Sequence, residues 1–122
     1  AINGDTYCDI NYADLYSQKG SFDIVISGIH VKDINRYGFL ELDADMGIVA
    51  LREKGALGEG YINCGTYLIN RQKVMDFPVT KFSFEKDFIP ECHFPITSYL
   101  VNGIFVDIGI PADYFSACEI LI

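Results

Sequence analysis

The chain has 122 residues, half of them apolar, and a formal charge of −8 at pH 7. This length suits one domain, and nine Phe and eight Tyr residues supply enough apolar surface for a core, which excludes a disordered chain. The nine Lys and Arg residues are scattered, so nucleic acid is excluded as the expected partner, because phosphate backbones need clustered basic side chains.

No apolar stretch approaches the length of a membrane-spanning helix, so we expect no membrane partner. The four cysteines lack a C-x-x-C pair and predict free, buried thiols in a reducing compartment, with the cytoplasm as the expected location. They lie at positions Cys8, Cys64, Cys92 and Cys118. Cys92 is followed by His93, but no second Cys/His cluster exists to complete a tetrahedral metal site.

The first half of the chain predicts a helix, a long strand and a hairpin. Residues 11–18 carry apolar side chains at helical spacing. Residues 22–31 are β-branched and largely apolar, as expected for a strand buried on both faces. Residues 39–42 and 48–51 are short strand-like runs, and the Asp- and Gly-rich residues 43–47 between them are typical of a hairpin loop.

The next three elements are predicted to be one strand and two short helices. Residues 61–69 predict a strand that is interrupted by Gly65, and residues 71–75 predict a short helix. Residues 83–89 predict another helix with Ser83 as its N-cap, because a serine hydroxyl can accept a hydrogen bond from a free amide of the first turn.

The last third of the chain predicts two strands and a helix. Residues 96–101 and 104–108 read as strands that turn at Asn102-Gly103, a dipeptide typical of tight hairpins. Pro111 suits the first turn of a final helix. This order of elements, without repeats or linkers, indicates a single α/β domain with a mixed sheet.

Two short acidic segments lie near opposite ends of the chain, N-G-D ending at Asp5 and V-D-I-G-I-P containing Asp107. We expect each carboxylate where a strand meets a loop, the position at which open α/β sheets bind ligands. Together they could hold one Mg²⁺, a hard cation that combines carboxylates with phosphate oxygens. Each segment also has a structural alternative, a hairpin turn at Asn3-Gly4 and a helix-capping role for Asp107.

Four further residues are candidates for contact with a sugar. Gly38 permits close backbone approach, Glu53 and Lys54 are charged groups beside a strand, and the amide of Asn63 lies within an apolar strand, where it needs a hydrogen-bond partner. A ligand hydroxyl would satisfy that amide. The structural alternative is that these are ordinary strand ends and an exposed salt bridge.

A third acidic segment, Asp43-Ala44-Asp45, has the D-x-D pattern of metal-dependent glycosyltransferases. Its position between two short strands favours a solvated hairpin loop. The glycosyltransferase reading would require both carboxylates to face a pocket. We interpret His30 and His93 as structural residues.

Six segments, taken together and in order, resemble the sugar-1-phosphate nucleotidyltransferases. The closest likenesses are the mannose- and heptose-1-phosphate guanylyltransferases and the glucose-1-phosphate thymidylyltransferases. The segments are N-G-D-T at 3–6, R-Y-G at 36–38, R-E-K at 52–54, Y-I-N-C-G-T-Y at 61–67, F-S-F-E-K-D-F at 82–88 and F-V-D-I-G-I-P-A-D-Y at 105–114.

The resemblance implies a Rossmann-like nucleotidyltransferase fold with a mixed sheet. It also implies an enzyme that joins a nucleoside triphosphate to a sugar 1-phosphate and releases pyrophosphate, in the service of lipopolysaccharide or capsule assembly. By similarity, Asp5 and Asp107 would hold the catalytic Mg²⁺. No covalent nucleophile is required, since such chemistry depends on positioning and charge stabilisation.

By the same similarity Gly38, Glu53 and Asn63 would line the sugar pocket, with Lys54 nearby. Two segments differ from the family's usual pattern: E-K-P is E-K-G here, with Gly55, and N-A-G is N-C-G, with Cys64.

The larger departure is that the family's G-x-G-T-R loop, which binds the triphosphate, has no counterpart in the chain. We therefore expect residues 1–122 to be the C-terminal portion of a single nucleotidyltransferase domain whose N-terminal half is missing, and to be inactive alone. The alternative function is a non-catalytic sugar-phosphate-binding or regulatory module of the same fold. Exposed apolar surface is expected where further strands would pack, and the apolar C-terminus at 120–122 could serve a homo-oligomer interface.

Overall fold

The computed structural model describes residues 1–122 as two β-sheets with three helices. The strands are β1 (Thr6–Cys8), β2 (Ile24–Val31), β3 (Phe39–Leu42), β4 (Ile48–Arg52), β5 (Gly60–Ile69), β6 (Ile96–Val101) and β7 (Phe105–Asp107). The helices are α1 (Tyr12–Gln18), α2 (Arg71–Met75) and α3 (Pro111–Leu121). A π-helical turn (Phe84–Phe88) and a 3-10 turn (Ile89–Glu91) precede β6.

The main sheet has five strands in the order β4-β3-β5-β2-β6, and the pair β1-β7 forms a separate antiparallel sheet. Strands β2 and β6 are parallel, whereas the other neighbours are antiparallel. Parallel strands need a crossover connection, and here the chain between β2 and β6 includes the β3–β4 hairpin, β5 and α2. The sheet is therefore mixed, as the sequence predicts.

Apolar clusters cover both faces of β2, which explains why its first five residues are all buried. Ile24 and Ile26 point into the larger cluster with Phe88, while Val25 points to the opposite face with Leu15 of α1. Successive side chains of a strand point to opposite faces, so an unbroken apolar run is what a doubly covered strand requires.

The first three residues run alongside β5 and fix the position of the segment that leads to Asp5. Ile2 forms an antiparallel bridge with Thr66, and the amide of Asn3 donates to the carbonyl of Gly65 at 2.7 Å. Gly65 has a φ of +73°, and the side chain of Asn3 lies where a β-carbon on Gly65 would be. The irregularity predicted at Gly65 thus makes room for Asn3, two residues before Asp5.

The local elements follow the sequence predictions closely. Asn11 caps α1 by accepting from the amide of Asp14, and Ser83 caps the turn at 84–88 by accepting from the amide of Lys86. The loop at 43–47 joins β3 and β4 as a hairpin. The predicted helix at 83–89 is shorter and is a π-helical turn.

The hairpin predicted at Asn102-Gly103 is wrong. Strand β6 pairs with β2 in the main sheet, whereas β7 leaves that sheet and pairs with β1, with Val106 opposite Tyr7. The amide of Asp9 donates to the carbonyl of Ile104 at 2.8 Å, which extends this pairing towards the turn. Strand β1 therefore replaces β6 as the partner of β7, and a local turn signal carries no information about such a distant strand.

Several large apolar side chains are exposed on α3, where Phe115 and Ile120 are 68% and 55% accessible. Ala117 is the buried residue of this helix. All four cysteines are free thiols, but only Cys64 is fully buried. None of the helices is both long enough and apolar enough to cross a bilayer.

The contact between Gly65 and Asn3 gives a stability prediction. Gly65→Ala places a β-carbon in a left-handed conformation and about 2.7 Å from Nδ2 of Asn3, so we expect a loss of about 1–3 kcal/mol in the free energy of unfolding. Urea denaturation measures this difference. Gly4→Ala is the control, because nothing lies within 4 Å of its β-carbon; equal stability of the two variants would contradict the prediction.

Candidate active site

The pairing of β1 with β7 brings the two predicted metal-binding aspartates to the same end of this sheet, Asp5 directly before β1 and Asp107 as the last residue of β7. Thr6 lies opposite Asp107, and the amide of Ile108 donates to the backbone carbonyl of Asp5 at 2.9 Å. Asp107 ends β7 and its Oδ1 accepts from the amide of Gly109 at 2.8 Å. The second oxygen of Asp107 and the whole carboxylate of Asp5 make no hydrogen bond within the chain.

A cleft of about 790 Å³ adjoins Asp5. Four of the six residues predicted from the sequence line it together: Asp5, Gly38, Glu53 and Lys54. Its remaining walls are mainly polar and come from Leu51, Arg52, Glu85, Lys86 and Pro90. The volume is within the range of small-molecule sites, about 300–1,000 Å³. The cleft does not include Asp107 or Asn63.

Two of the three cations of this cleft are engaged in ion pairs. Lys86 Nζ lies 3.3 Å from a carboxylate oxygen of Glu53, and Arg52 binds Glu41 at 2.6 Å. Lys54 forms none of the ion pairs of the structure. Its ammonium group is therefore the cation in the cleft that is free for an anionic ligand.

The loop that carries Gly38 is fixed by its two preceding residues. Arg36 forms an ion pair with Asp113 in the first turn of α3, and the pKa of Arg36 is raised above its usual value chiefly by this hydrogen bond. The ring of Tyr37 packs edge-to-face on Phe105 of β7, with centroids 5.9 Å apart. Burial is the main cause of the raised pKa of Tyr37. The R-Y-G segment thus links the cleft to the strand that carries Asp107.

Asn63 lies beside the cleft and satisfies its amide within the protein. Its Nδ2 donates to the hydroxyl of Tyr67 and to Oε1 of Glu85, each at 2.8 Å, and its Oδ1 accepts from the amide of Gly65 at 2.9 Å. The hydrogen-bond partner that this amide was expected to find in a ligand is therefore supplied by the protein. Asn63 contacts the lining of the cleft at Glu85 and also at Gly38, whose carbonyl accepts from the backbone amide of Asn63 at 3.3 Å.

Glu85 lines the cleft but is not among the candidate residues predicted from the sequence. Its segment, S-F-E-K-D, was explained by the capping role of Ser83, which the structure confirms. The hydroxyl of Tyr67 also donates to Oε1 of Glu85. Burial raises the pKa of Tyr67 well above its usual value, and the hydrogen bond to Glu85 raises it further. Two signals in the sequence pointed to Glu85: a carboxylate among aromatic residues, and its place in the segment at 82–88, one of the six that carry the family resemblance.

The D-x-D segment has a structural role. Oδ1 of Asp43 accepts from the amides of Asp45 and Gly47 at 2.8 and 2.9 Å, so this side chain closes the hairpin loop. Both aspartates are exposed and neither lines the cleft. The chain holds no group of three or more His, Cys, Asp and Glu side chains positioned for a metal. The glycosyltransferase reading therefore lacks the pocket that it requires.

The raised pKa of Tyr67 predicts a pH effect on stability. The unfolded chain loses its phenolic protons near pH 10, whereas folded Tyr67 keeps its proton, so this contribution is fully present below about pH 10 and is lost as the pH rises further. We expect Tyr67→Phe to flatten the alkaline decline in the free energy of unfolding, measured by urea denaturation. Tyr12→Phe, at an exposed position, is the control. Parallel curves for all three proteins would contradict this.

No family model matches the chain. The chain is 33% identical over 121 residues to the D-glycero-α-D-manno-heptose 1-phosphate guanylyltransferase of Aneurinibacillus thermoaerophilus. This alignment covers 95% of the chain and 52% of the relative. The enzyme of the same name from Campylobacter jejuni is 31% identical over 117 residues, covering 93% of the chain and 52% of the relative.

The solved structure of HddC from Yersinia pseudotuberculosis superposes with a TM-score of 0.93 at 42% identity, over 99% of the chain and 54% of HddC. The same protein in complex with GMP-PN gives a TM-score of 0.91. These matches confirm the mixed-sheet α/β fold. The chain spans about half the length of the relatives it matches, and it is homologous to the sugar-1-phosphate nucleotidyltransferases, as its motifs indicate.

Proposed function

We propose that this chain takes part in nucleotidyl transfer from a nucleoside triphosphate to a sugar 1-phosphate, which yields a nucleotide sugar and pyrophosphate. The observation that carries the proposal is the single cleft to which Asp5, Gly38, Glu53 and Lys54 all contribute. These residues come from three separate segments of the sequence. Their convergence is what a binding site requires and what ordinary strand ends would not produce.

The relatives suggest which substrates to test first. The two curated relatives are guanylyltransferases of D-glycero-α-D-manno-heptose 1-phosphate, and HddC has been crystallised with GMP-PN. We therefore propose GTP and this heptose phosphate as the substrates. The nucleotide sugar would then serve the assembly of a surface polysaccharide.

The proposed Mg²⁺ would be held by Asp5 and Asp107. Magnesium uses one or two protein carboxylates and takes its remaining oxygen ligands from phosphates and water. Two carboxylates at the same end of the β1–β7 pair, with the second oxygen of Asp107 free, fit this donor set. The ion would supply charge neutralisation between the sugar phosphate and the triphosphate.

The chain's own residues would bind and orient the sugar phosphate. The free ammonium group of Lys54 attracts the phosphate dianion, and Gly38 leaves room for the sugar to approach the backbone. A phosphate oxygen of the sugar 1-phosphate then attacks the α-phosphorus of the triphosphate, and the bond to the pyrophosphate leaving group breaks. No side chain becomes covalently bound, so orientation of the two substrates supplies most of the rate.

The alternative function is a non-catalytic sugar-phosphate-binding module of the same fold. The observation that favours it is the cleft, whose groups suit a sugar phosphate. The two functions differ in one property, the release of pyrophosphate by the longest reading frame that contains these residues.

We predict that the 122-residue chain binds D-glycero-α-D-manno-heptose 1-phosphate but does not release pyrophosphate from GTP, because it lacks the G-x-G-T-R loop. Isothermal titration calorimetry measures the binding and a coupled pyrophosphate assay measures the transfer. The full reading frame, assayed in parallel, is expected to be active. Robust transfer by the purified 122-residue chain would contradict the prediction, and a full-length protein that binds the sugar phosphate without transfer would establish the binding module.

A second prediction concerns the metal. Asp5→Asn and Asp107→Asn should each weaken Mn²⁺ binding by roughly 10- to 100-fold, because each removes an anionic ligand. An asparagine at 107 can still accept from the amide of Gly109, so the loop should keep its shape. Electron paramagnetic resonance of Mn²⁺ measures the free ion directly. Asp45→Asn is the control. An equal loss of Mn²⁺ affinity in this variant would show that the metal binds at the D-x-D segment instead.

A further inference from the structure

The carboxylate of Glu85 is held in one orientation by two neighbours. Asn63 Nδ2 and the hydroxyl of Tyr67 both donate to the same oxygen, Oε1. Asn63 Nδ2 also donates to the hydroxyl of Tyr67, so the three side chains form a closed ring of hydrogen bonds. The second carboxylate oxygen, Oε2, has no partner in the chain and can accept from a ligand.

The backbone that carries Glu85 is also fixed. Ser83 caps the turn by accepting from the amide of Lys86, and its own amide donates to Asp87 at 2.6 Å. The ring of Phe84 packs edge-to-face on Tyr67 at 5.3 Å, beneath the same network. An acceptor whose backbone and side chain are both constrained loses little conformational entropy when a ligand binds.

Glu85 and Glu53 are the two glutamates of the cleft, and they are not equivalent. Glu53 is 3.3 Å from the ammonium group of Lys86 and is engaged in an ion pair. Glu85 forms no ion pair and receives its hydrogen bonds from neutral groups. Its full negative charge therefore repels a phosphate and favours hydroxyl donors, while Lys54 lies in the same cleft for the phosphate.

We propose that Glu85 is a specificity-determining residue that accepts hydrogen bonds from hydroxyl groups of the sugar ring, and that Asn63 and Tyr67 are the positioning residues that aim it. This assignment rests on the proposed function, because it requires a sugar 1-phosphate in the cleft. It gives Asn63 a different role from the direct sugar contact implied by the family resemblance. In this assignment the amide of Asn63 orients the carboxylate of Glu85. That carboxylate, and not the amide, binds the hydroxyl of the ligand.

The first experiment compares Glu85→Gln with wild type for two probes, D-glycero-α-D-manno-heptose 1-phosphate and inorganic phosphate, by isothermal titration calorimetry. A glutamine keeps the size of the side chain but removes the charge that strengthens the bond to a hydroxyl. We expect the heptose phosphate to bind roughly 10- to 100-fold more weakly, and inorganic phosphate to bind at least as tightly as before, because the charge that is removed repels phosphate. Glu119→Gln, exposed on α3, is the control and should match wild type for both probes.

The outcomes separate this assignment from the proposed function. If wild type binds the heptose phosphate and Glu85→Gln binds it equally well, the role of Glu85 is wrong and the proposed function stands. A loss that is equal for the heptose phosphate and inorganic phosphate also overturns the role, because the effect is then not on hydroxyl groups. If wild type binds neither probe, both the role and the proposed function are wrong.

A double-mutant cycle tests the positioning residues. Tyr67→Phe removes one donor to Glu85 and is expected to weaken binding of the heptose phosphate by about 3- to 10-fold. In the Glu85→Gln background the same change should have almost no effect, because the oriented carboxylate is already lost. A purely structural role for Tyr67 would give the same loss in both backgrounds and would overturn the positioning role. Thermal unfolding of each variant identifies any that do not fold, and Asn63→Gln then replaces Tyr67→Phe in the cycle.

Discussion

The short antiparallel pairing between β1 and β7 is the constraint on which the site depends. It joins residues near the two ends of the chain through only three facing pairs, and a two-stranded ribbon of this size has little stability of its own. The pairing is stabilised by contacts from outside the ladder of β1 and β7. Residues 1–3 hydrogen-bond to β5, while the ion pair of Arg36 with Asp113 and the packing of Tyr37 on Phe105 hold the other side. The position of the two aspartates is thus determined by tertiary contacts.

The elements of the fold could be predicted from the sequence where their signals are local. The N-caps at Asn11 and Ser83, the apolar run of β2 and the loop at 43–47 are all properties of neighbouring residues, and the structure contains each of them. The pairing of β7 could not be predicted in this way. The dipeptide Asn102-Gly103 favours a tight turn, but which strand receives β7 is decided by a segment about a hundred residues earlier in the sequence.

In the candidate site, too, the residue types could be predicted from the sequence but their long-range contacts could not. Motifs in the sequence indicated residues with suitable chemistry, and the fold brings most of them to one cleft. The partners of Asn63 could not be foreseen, because a polar side chain in an apolar strand needs a hydrogen bond without specifying its source. Tyr67 lies four residues further along β5 and Glu85 lies on a separate turn. Only the packing of that turn against β5 shows that the amide is satisfied by the protein and that a carboxylate faces the cleft.

Charge explains why a divalent cation suits this cleft. The chain carries a net charge of −8, and a sugar phosphate would meet Asp5, Glu53 and Glu85 around the same volume. Two of the three cations of the cleft, Arg52 and Lys86, are already paired with glutamates, which leaves Lys54. One ammonium group does not offset the repulsion between these carboxylates and two phosphorylated substrates. An ion held by Asp5 and Asp107 would neutralise these two carboxylates and present a cation to the phosphates, while Glu85 keeps its charge for hydroxyl groups.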